Sequence, residues 1–551
     1  MCFFLFAVSA LAGAQAQSQV LREGPNVISD SPNDTNSSPS KNDAGRSNDL
    51  PLLRDGPDIN SPSIYIREIR LIGASAEFAK ELTTLTQTFE ERRLTGIDLQ
   101  RLANVLTRAY MDQGYLFSKA FIRPQKFENG EVAVEISEGY LSRVAVNGDT
   151  SHPLVAYFNK AMPQRPLRRK TFARALSRVQ SAPGYRLIDR EIEKDADTAN
   201  GYALSLSVEQ KKVQARLDVT NKGVRVGEPW RAFLRTRFNS VLRPADQLSL
   251  GYVAKPFALS ELHYFSGTYQ LPIGYSGLAV FVSGAMSDSS PRSALAGRNL
   301  NGDLRTGSIG VNYPIIQSNQ KQLYTSAKID VINTREKEDA AALYNDRLRV
   351  FRFSSTYKAK LKGESRVGGF LQLSQGVNAF NASDQVGLMT SRPDADAQFL
   401  KLDGEASIQQ FVNDRISFTA SATGQYATSP LLYHEEFGVG GGSFGRGYDF
   451  GEILGDLGAA GYVEAALHGR SAGILDSWEI YSFVDAGVVW NKGTRLSADG
   501  DPLYSAGGGL RFVVGKNLFL SYEVAHPLSD APYTLDDETT RHRLQLSVAY
   551  N

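Results

Sequence analysis

Arg541-His542-Arg543-Leu544-Gln545-Leu546-Ser547-Val548-Ala549-Tyr550, close to the end of the chain, carries the pattern on which the fold turns. Leu544, Leu546, Val548 and Tyr550 alternate with Gln545, Ser547 and Ala549. Successive side chains of a strand point to opposite faces, so this period of two makes one apolar face and one wet face. One such strand fits many folds, and repetition is what decides. From Val213 onward there is no helical periodicity of any length; segments of about 9 to 15 residues with alternating character follow one another between turn residues.

Strands are expected near 213–221, 230–241, 246–255, 260–271, 277–287, 303–314, 321–333 and 346–359. Eight more are expected near 365–378, 397–411, 414–426, 457–469, 478–490, 503–514, 517–525 and 541–550. Sixteen segments over residues 213–550 leave about 21 residues per strand and connector, which suits strands of about 10 residues crossing a bilayer at a tilt. Connectors after even-numbered strands are mostly brief: Arg243-Pro244-Ala245, Gln317 to Gln320, Asn413, Gly515-Lys516. Those after odd-numbered strands include the long ones, 288–302, 379–396, 427–456 and 526–540, with 470–477 the longest exception to the parity. Short inner turns and long outer loops are what a barrel entered from the periplasm requires. The expected fold is therefore mainly β, a 16-stranded antiparallel transmembrane β-barrel.

Hydrophobic content of 42% and a mean hydropathy of -0.27 fit this reading, because half of every barrel strand faces water. After the opening residues no stretch of about 18 apolar residues occurs, so a membrane-spanning form must be a closed sheet. Lys plus Arg number 60 and Asp plus Glu 59, a balance that argues against a nucleic-acid partner. Residues 1–16 are apolar from Cys2 to Ala12 and end in Ala14-Gln15-Ala16, so they read as an export signal cut before Gln17. No Lys or Arg precedes Arg22, which leaves a translation start upstream of Met1 open. Cys2, the sole cysteine, lies in this leader, which excludes disulfide frameworks and thiolate metal sites from the exported chain.

Residues 17–62, with prolines at 25, 32, 39, 51, 57 and 62, read as a flexible linker. From Ser63 the pattern changes. Ile64 to Leu71 reads as a strand, and Thr95-Gly96-Ile97-Asp98 opens a helix with Leu99, Leu102, Leu106 and Ala109 on one face. Strands follow at Phe117–Ile122 and Val132–Ile136. A second unit repeats the recipe, with a strand at Val144-Ala145-Val146, a helix around Phe172, Leu176 and Val179, and strands at Arg186–Ile192 and Ala203–Val208. The expected organisation is two small α+β modules, 63–138 and 139–210, before a barrel at 211–551.

These residues resemble the two-partner secretion transporters, the haemolysin-activating and filamentous-haemagglutinin-secreting outer-membrane proteins of the Omp85 superfamily. The stretch Gly114-Tyr115 through Arg123-Pro124-Gln125, then Asn129-Gly130 and Glu138-Gly139, resembles a POTRA domain, and Pro166-Leu167 to Val208 resembles a second. The barrel opening is similar as well, in Asn221-Lys222-Gly223, Asp246 to Leu250, Tyr269 to Pro272 and Gly277-Leu278. The most specific likeness is Gly440-Gly441 to Phe444-Gly445-Arg446-Gly447-Tyr448, followed by Gly455-Asp456. The resemblance implies that this Arg-Gly-aromatic tip lies on the sixth outer loop and folds back into the pore. By strand count the segment does join strands eleven and twelve. Phe483-Val484-Asp485-Ala486-Gly487 resembles the F-x-D-x-G element of that family, and the implied pairing is a bidentate one of Arg446 with Asp485.

Two departures stand out. Phe444-Gly445 replaces a usual Ser- or Thr-Val/Leu pair, implying a looser tip, and the chain finishes on Tyr550-Asn551 rather than on the aromatic. The prolines of residues 17–62 also leave poor material for the pore-plugging helix that some members carry.

The implied function is an outer-membrane translocation pore. Its periplasmic POTRA modules would recognise an unfolded exported polypeptide, a large adhesin or haemolysin-like client, and its barrel, set in outer-membrane lipid, would secrete it. Candidate client-binding residues are Pro124, Gln125, Arg165, Arg168, Arg169 and Arg174. With Lys170 and Arg178, these arginines put positive charge on the second module's first helix: a solvated face, or a receptor for acidic client segments or inner-leaflet headgroups. An assembly factor for other barrels is the first alternative, though such proteins usually carry three to five POTRA modules; a porin is the second. No catalytic constellation, cofactor site or metal site is found. Six histidines are scattered without an H-E-x-x-H pair, and Gly438 to Gly447 lacks the Lys-Ser/Thr of a phosphate loop. His434-Glu435-Glu436 reads as a solvated loop rather than a metal site.

Overall fold

The computed structural model describes residues 63–550 apart from 116, 128, 224–227, 292–298, 319, 340, 385–388, 471, 472, 474, 494–499 and 531–538. The expected export signal and linker lie outside the described residues. The chain divides into compact units between Gln210 and Lys211.

In the first module β1 (Ile64–Ile66) pairs antiparallel with β3 (Arg92–Leu94). A separate sheet holds β2 (Glu68–Ile72), β4 (Lys119–Phe121) and β5 (Glu131–Ser137) in the order β2-β5-β4, with β2 parallel and β4 antiparallel to the central β5. The single strand expected over Ile64–Leu71 is thus broken at Arg67. The amides of Arg67 and Glu68 both turn to the Gly130 carbonyl, 2.8 and 3.3 Å away. Helices α1 (Ala76–Thr86) and α2 (Gly96–Asp112) supply Phe78, Leu82, Leu102, Leu106 and Tyr110 to a core completed by Val132, Val134 and Ile136 of β5.

The sequence reading missed α1. Its apolar positions have helical spacing, but the threonine-rich run Thr83-Thr84-Leu85-Thr86 masks it; inside the helix the Thr83 and Thr84 hydroxyls bond back to the carbonyls of Ala79 and Lys80. The α2 entry is a reciprocal box. The Thr95 amide donates to Asp98 at 2.9 Å, and the Asp98 amide donates to the Thr95 hydroxyl at 3.3 Å. Bonds from Thr95 hold the Asp98 carboxyl below the usual carboxylate range. Thr95→Ala should loosen α2 by about 1 kcal/mol, read as faster hydrogen exchange of the first-turn amides in the full-length protein; unchanged exchange would dismiss the cap.

The second module repeats this topology with β6 (Tyr140–Val146), β7 (Tyr185–Lys194) and β8 (Gly201–Gln210) in the order β6-β8-β7, β6 again parallel to the central strand. A 3₁₀ segment, Pro153–Phe158, precedes α3 (Arg169–Gln180) where the first module has a full helix, and Leu154, Phe158, Leu176 and Val179 are buried.

All sixteen expected barrel strands are present. They begin with β9 (Val213–Thr220), β10 (Arg231–Asn239), β11 (Gln247–Ala254), β12 (Leu262–Pro272), β13 (Ala279–Ser289) and β14 (Leu300–Gln317). Next come β15 (Lys321–Glu338), β16 (Ala341–Lys360), β17 (Arg366–Gly376), β18 (Leu400–Phe411) and β19 (Ile416–Ala427). Two short strands of a loop, β20 (Phe437–Val439) and β21 (Ile453–Gly455), interrupt the series. It ends with β22 (Leu457–Arg470), β23 (Leu475–Trp490), β24 (Leu503–Val514), β25 (Leu518–Pro527) and β26 (Arg541–Tyr550). Every neighbour is antiparallel, and β26 closes on β9 with Gln545 opposite Thr220 and Tyr550 opposite Ala215.

The faces follow the pleat: Leu544, Leu546, Val548 and Tyr550 are exposed outward, whereas Arg541, Arg543 and Ser547 are buried on the lumen side. Strands β14 to β16 outrun their expected lengths, with 18, 18 and 20 residues, so 334–345 is largely hairpin rather than loop. The alternation there is carried by charged residues such as Arg335 and Asp346, which resemble loop composition when read without the register.

Candidate functional site

The connector between β19 and β22, the sixth outer loop by strand order, lies inside the barrel. Its β20 and β21 pair antiparallel and pack on β22 and β23, and Phe437, Val439, Phe444, Tyr448 and Ile453 form an apolar cluster with wall residues Ala460, Val489 and Leu503. The wall makes room by lacking side chains. A Cβ on Gly487 would stand 2.5 Å from a Val439 methyl, and one on Gly458 would stand 2.0 Å from the Phe437 ring.

The tip is a tight glycine turn. Gly440 donates to the Phe444 carbonyl at 3.0 Å and Tyr448 to the Gly445 carbonyl at 3.0 Å, with Gly445 at φ +72. Gly447 sits against backbone; a Cβ there would meet the Pro527 nitrogen at 2.7 Å. The Tyr448 hydroxyl lies within hydrogen-bond reach of the carbonyls of Tyr504 and Ser529, at 2.8 and 2.7 Å, and shares its one proton between them.

Phe483, Asp485 and Gly487 share the lumen face of β23 at a spacing of two, and each does a different job. Asp485 accepts the amides of Gly445 at 3.2 Å and Arg446 at 3.1 Å, and the Ser505 hydroxyl also donates to it. The Arg446 guanidinium lies over the rings of Phe483 and Tyr462, 4.1 and 4.6 Å from their centres, and reaches Glu464 at 3.0 Å and Glu523 at 3.3 Å. The expected bidentate pairing of Arg446 with Asp485 is therefore corrected. Nε stays 3.8 Å from the carboxylate, because two backbone amides and a hydroxyl already occupy it. Arginines also hold the tip from β26: Arg541 donates to the Gly447 carbonyl at 3.1 Å, and Arg543 to those of Gly441 and Tyr448 at 2.8 and 3.0 Å.

The near arm of the loop has a second anchor, which overturns the solvated-loop reading of His434-Glu435-Glu436. Glu435 is buried, 2.8 Å from Lys401 and ion-paired with Arg352, which in turn binds Asp330 at 2.7 Å. Burial alone would raise the Glu435 carboxyl, but Arg352 and Lys401 outweigh it and hold the group well below the usual carboxylate range. Asp456, fully buried, accepts the Leu431 and Lys492 amides and a guanidinium bond from Arg392, each at 2.7 Å, so three outer loops meet on one carboxylate. Sequence reading missed Glu464, Glu523, Arg541, Arg543, Arg352 and Lys401. The usable signal was parity, since a charge inside a lipid-crossing strand must face the lumen and find a partner there.

In the modules, the Gln125 side chain bonds both backbone groups of Ala133, at 2.9 and 2.8 Å, continuing the ladder beyond β4. Arg165 lies 3.9 Å over the Tyr140 ring, and Arg168 donates to the Tyr115 hydroxyl at 2.8 Å. Both precede α3 rather than lie within it, whereas Arg169 and Arg174 are exposed on α3. The structure does not bring Pro124 and Gln125 together with the arginines into one cluster. Among the described residues no group of His, Cys, Asp and Glu is placed to hold a metal ion.

Comparison with known proteins places this architecture. The family model of the haemolysin secretion/activation proteins ShlB/FhaC/HecB matches residues 204–512, more than half of the chain, and that of the ShlB-type POTRA domain matches residues 64–139. The outer membrane transporter CdiB of Escherichia coli is 22% identical over 460 residues, covering 81% of this chain and 75% of the relative. The CdiB transporter of Dickeya dadantii (strain 3937) is 21% identical over 491 residues, 86% of this chain and 84% of that one. Among solved structures, CdiB from Escherichia coli superposes with a TM-score of 0.75 at 20% identity over 98% of each chain. CdiB from Acinetobacter baumannii gives 0.63 at 18% over 89% of this chain and 90% of the other. A barrel of sixteen strands behind POTRA modules, with a loop lodged in its lumen, thus belongs to the haemolysin secretion/activation family ShlB/FhaC/HecB, whose place is the outer membrane, modules in the periplasm, and whose work is to secrete a client polypeptide.

Proposed function

We propose that the modules capture the exported client as an extended, unfolded chain and that the sixth loop withdraws from the lumen to let it pass. The observation that carries this reading is how the loop is held. Buried ion pairs and amide–carboxylate bonds fix it at Arg446, Asp485 and Glu435. Polar contacts of this kind can be exchanged for water in a hydrated lumen, which leaves the small apolar seat of Phe437, Val439 and Ile453 on the wall as the part of the hold that withdrawal must break. No nucleotide is needed if folding outside draws the chain through.

Capture by strand addition fits β7 best. This ten-residue edge strand is mostly exposed, with Ile188 57% accessible, and main-chain pairing tolerates varied client sequences. In the first module the Gln125 amide covers Ala133 and the Glu90 carboxylate takes the Ile69 amide at 3.0 Å, so its sheet edges are partly closed. Arg169 and Arg174 on α3 would then attract acidic client segments.

Co-expression with the large exported protein encoded nearest this gene tests the function. The client should reach the medium only when the transporter is present, and removal of residues 63–210 should stop it without lowering other outer-membrane barrels. A general fall of those barrels would instead favour an assembly factor.

A further inference from the structure

The outward face of β14, β15 and β16 changes character partway along. Ile309, Ile329 and Phe351 are neighbours across the ladder and are 55%, 42% and 49% exposed, a row suited to acyl chains. Two residues nearer the outer loops the register aligns Gly307, Val331 and Arg349. Two further on it aligns Arg305, Asn333 and Arg347, and beyond these Arg335 stands opposite Asp303. Four arginines therefore crowd the strip where the apolar band ends. The acids on this side, Asp288 and Asp303, face each other across β13 and β14.

Among the described residues none of the four arginines forms an ion pair. Arg349 is buried against neutral acceptors: the carbonyls of Leu348 at 2.7 Å, Phe380 at 3.1 Å and Ile332 at 3.3 Å, and the Asn333 amide oxygen at 3.1 Å. Those bonds engage Nε and Nη1 and leave its charge unneutralised. The same contact displays Phe380, which is 88% exposed at φ +48, an outlay for a large aromatic that water does not reward.

We propose that this patch seats a phosphorylated glycolipid headgroup of the outer leaflet, with Arg305, Arg335 and Arg347 meeting phosphate oxygens and Phe380 entering the interface beside them. Planar guanidinium forks match phosphate, and aromatics collect at the boundary of a barrel's lipid band. Position selects lipid over protein as the occupant, because the charged strip directly continues the lipid-facing row at the outer-loop end of the strands. The proposal rests on the barrel's place in the outer membrane and is independent of how the client passes.

The test uses full-length protein in nanodiscs of phosphatidylcholine carrying either lipid A with both phosphates or lipid A stripped of them. Bound lipid is counted by native mass spectrometry. Wild type should retain the phosphorylated form and lose the stripped form. Arg305→Ala with Arg347→Ala should retain about tenfold less, with Arg305→Lys and Arg347→Lys in between, and heat-modifiable migration reports that each barrel is folded. Equal retention of stripped and phosphorylated lipid A by wild type would overturn the proposal, as would wild-type retention by the folded double alanine variant. The lipid comparison needs no variant, so a folding failure leaves the question decidable.

Discussion

Arg446→Ala is expected to cut client secretion about tenfold or more while the barrel still folds and inserts. Breaking a buried, hydrogen-bonded pair typically costs about 3–5 kcal/mol, because the partner charges stay behind without compensation. Here Glu464 and Glu523, both nearly inaccessible, each lose one cationic partner and keep another, which sets the cost below that range, and the rings of Phe483 and Tyr462 lose their cation as well. The remaining wall charges hold the strands: Arg511 still bridges Glu464 and Glu479, and Arg543 still faces Glu523. The loss falls on the loop, which then wanders in the lumen as an obstruction. Lysine should not rescue, since one ammonium cannot span two carboxylates and lie flat on two rings. Asp485→Ala should act through the backbone amides of Gly445 and Arg446 and give a similar defect. Because both changes free the same tip, the double variant should secrete about as well as either single one. Wild-type secretion by both single variants would dismiss the anchor.

Gly487→Val should produce the largest change in pore behaviour. The added Cβ would lie 2.5 and 2.9 Å from the two Val439 methyls and 3.1 Å from the Ala460 Cβ, with little freedom to rotate away. The β20–β21 hairpin can then no longer seat on the wall. Single-channel recordings in planar bilayers should show conductance raised several-fold over the wild type, a change that reflects the freed cross-section of the lumen. Unchanged conductance from a correctly folded variant would mean that the hairpin is not what narrows the channel.

Much of this architecture is legible in the sequence itself. Sixteen strands could be placed because each carries a period of two that lipid on one side and water on the other impose, and the long connectors identified the outer end. Phe483, Asp485 and Gly487 stand out in the sequence through the resemblance of their segment to the family's F-x-D-x-G element. What could not be read is who pairs with whom. The Arg446 guanidinium meets Glu464 and Glu523, 18 and 77 residues away, through barrel closure and loop insertion that leave no trace in local pattern. Glu435 looked solvated because loops usually are; its burial depends on this one folding inward onto Arg352 and Lys401. Helix α1 was hidden by threonines, whose intrinsic preference tertiary packing overrode.

The route of the client is the claim on which the rest depends, and site-specific photocrosslinking measures it. On β17 and β18, Gln372 and Glu405 face the lumen, while Leu371 and Ile408 are exposed to lipid on the opposite face. A client stalled during export by a stably folded passenger should crosslink to a photoreactive residue at 372 or 405 and give no product from 371 or 408. Capture from the lipid-facing positions, with none from the lumen, would contradict passage through the barrel.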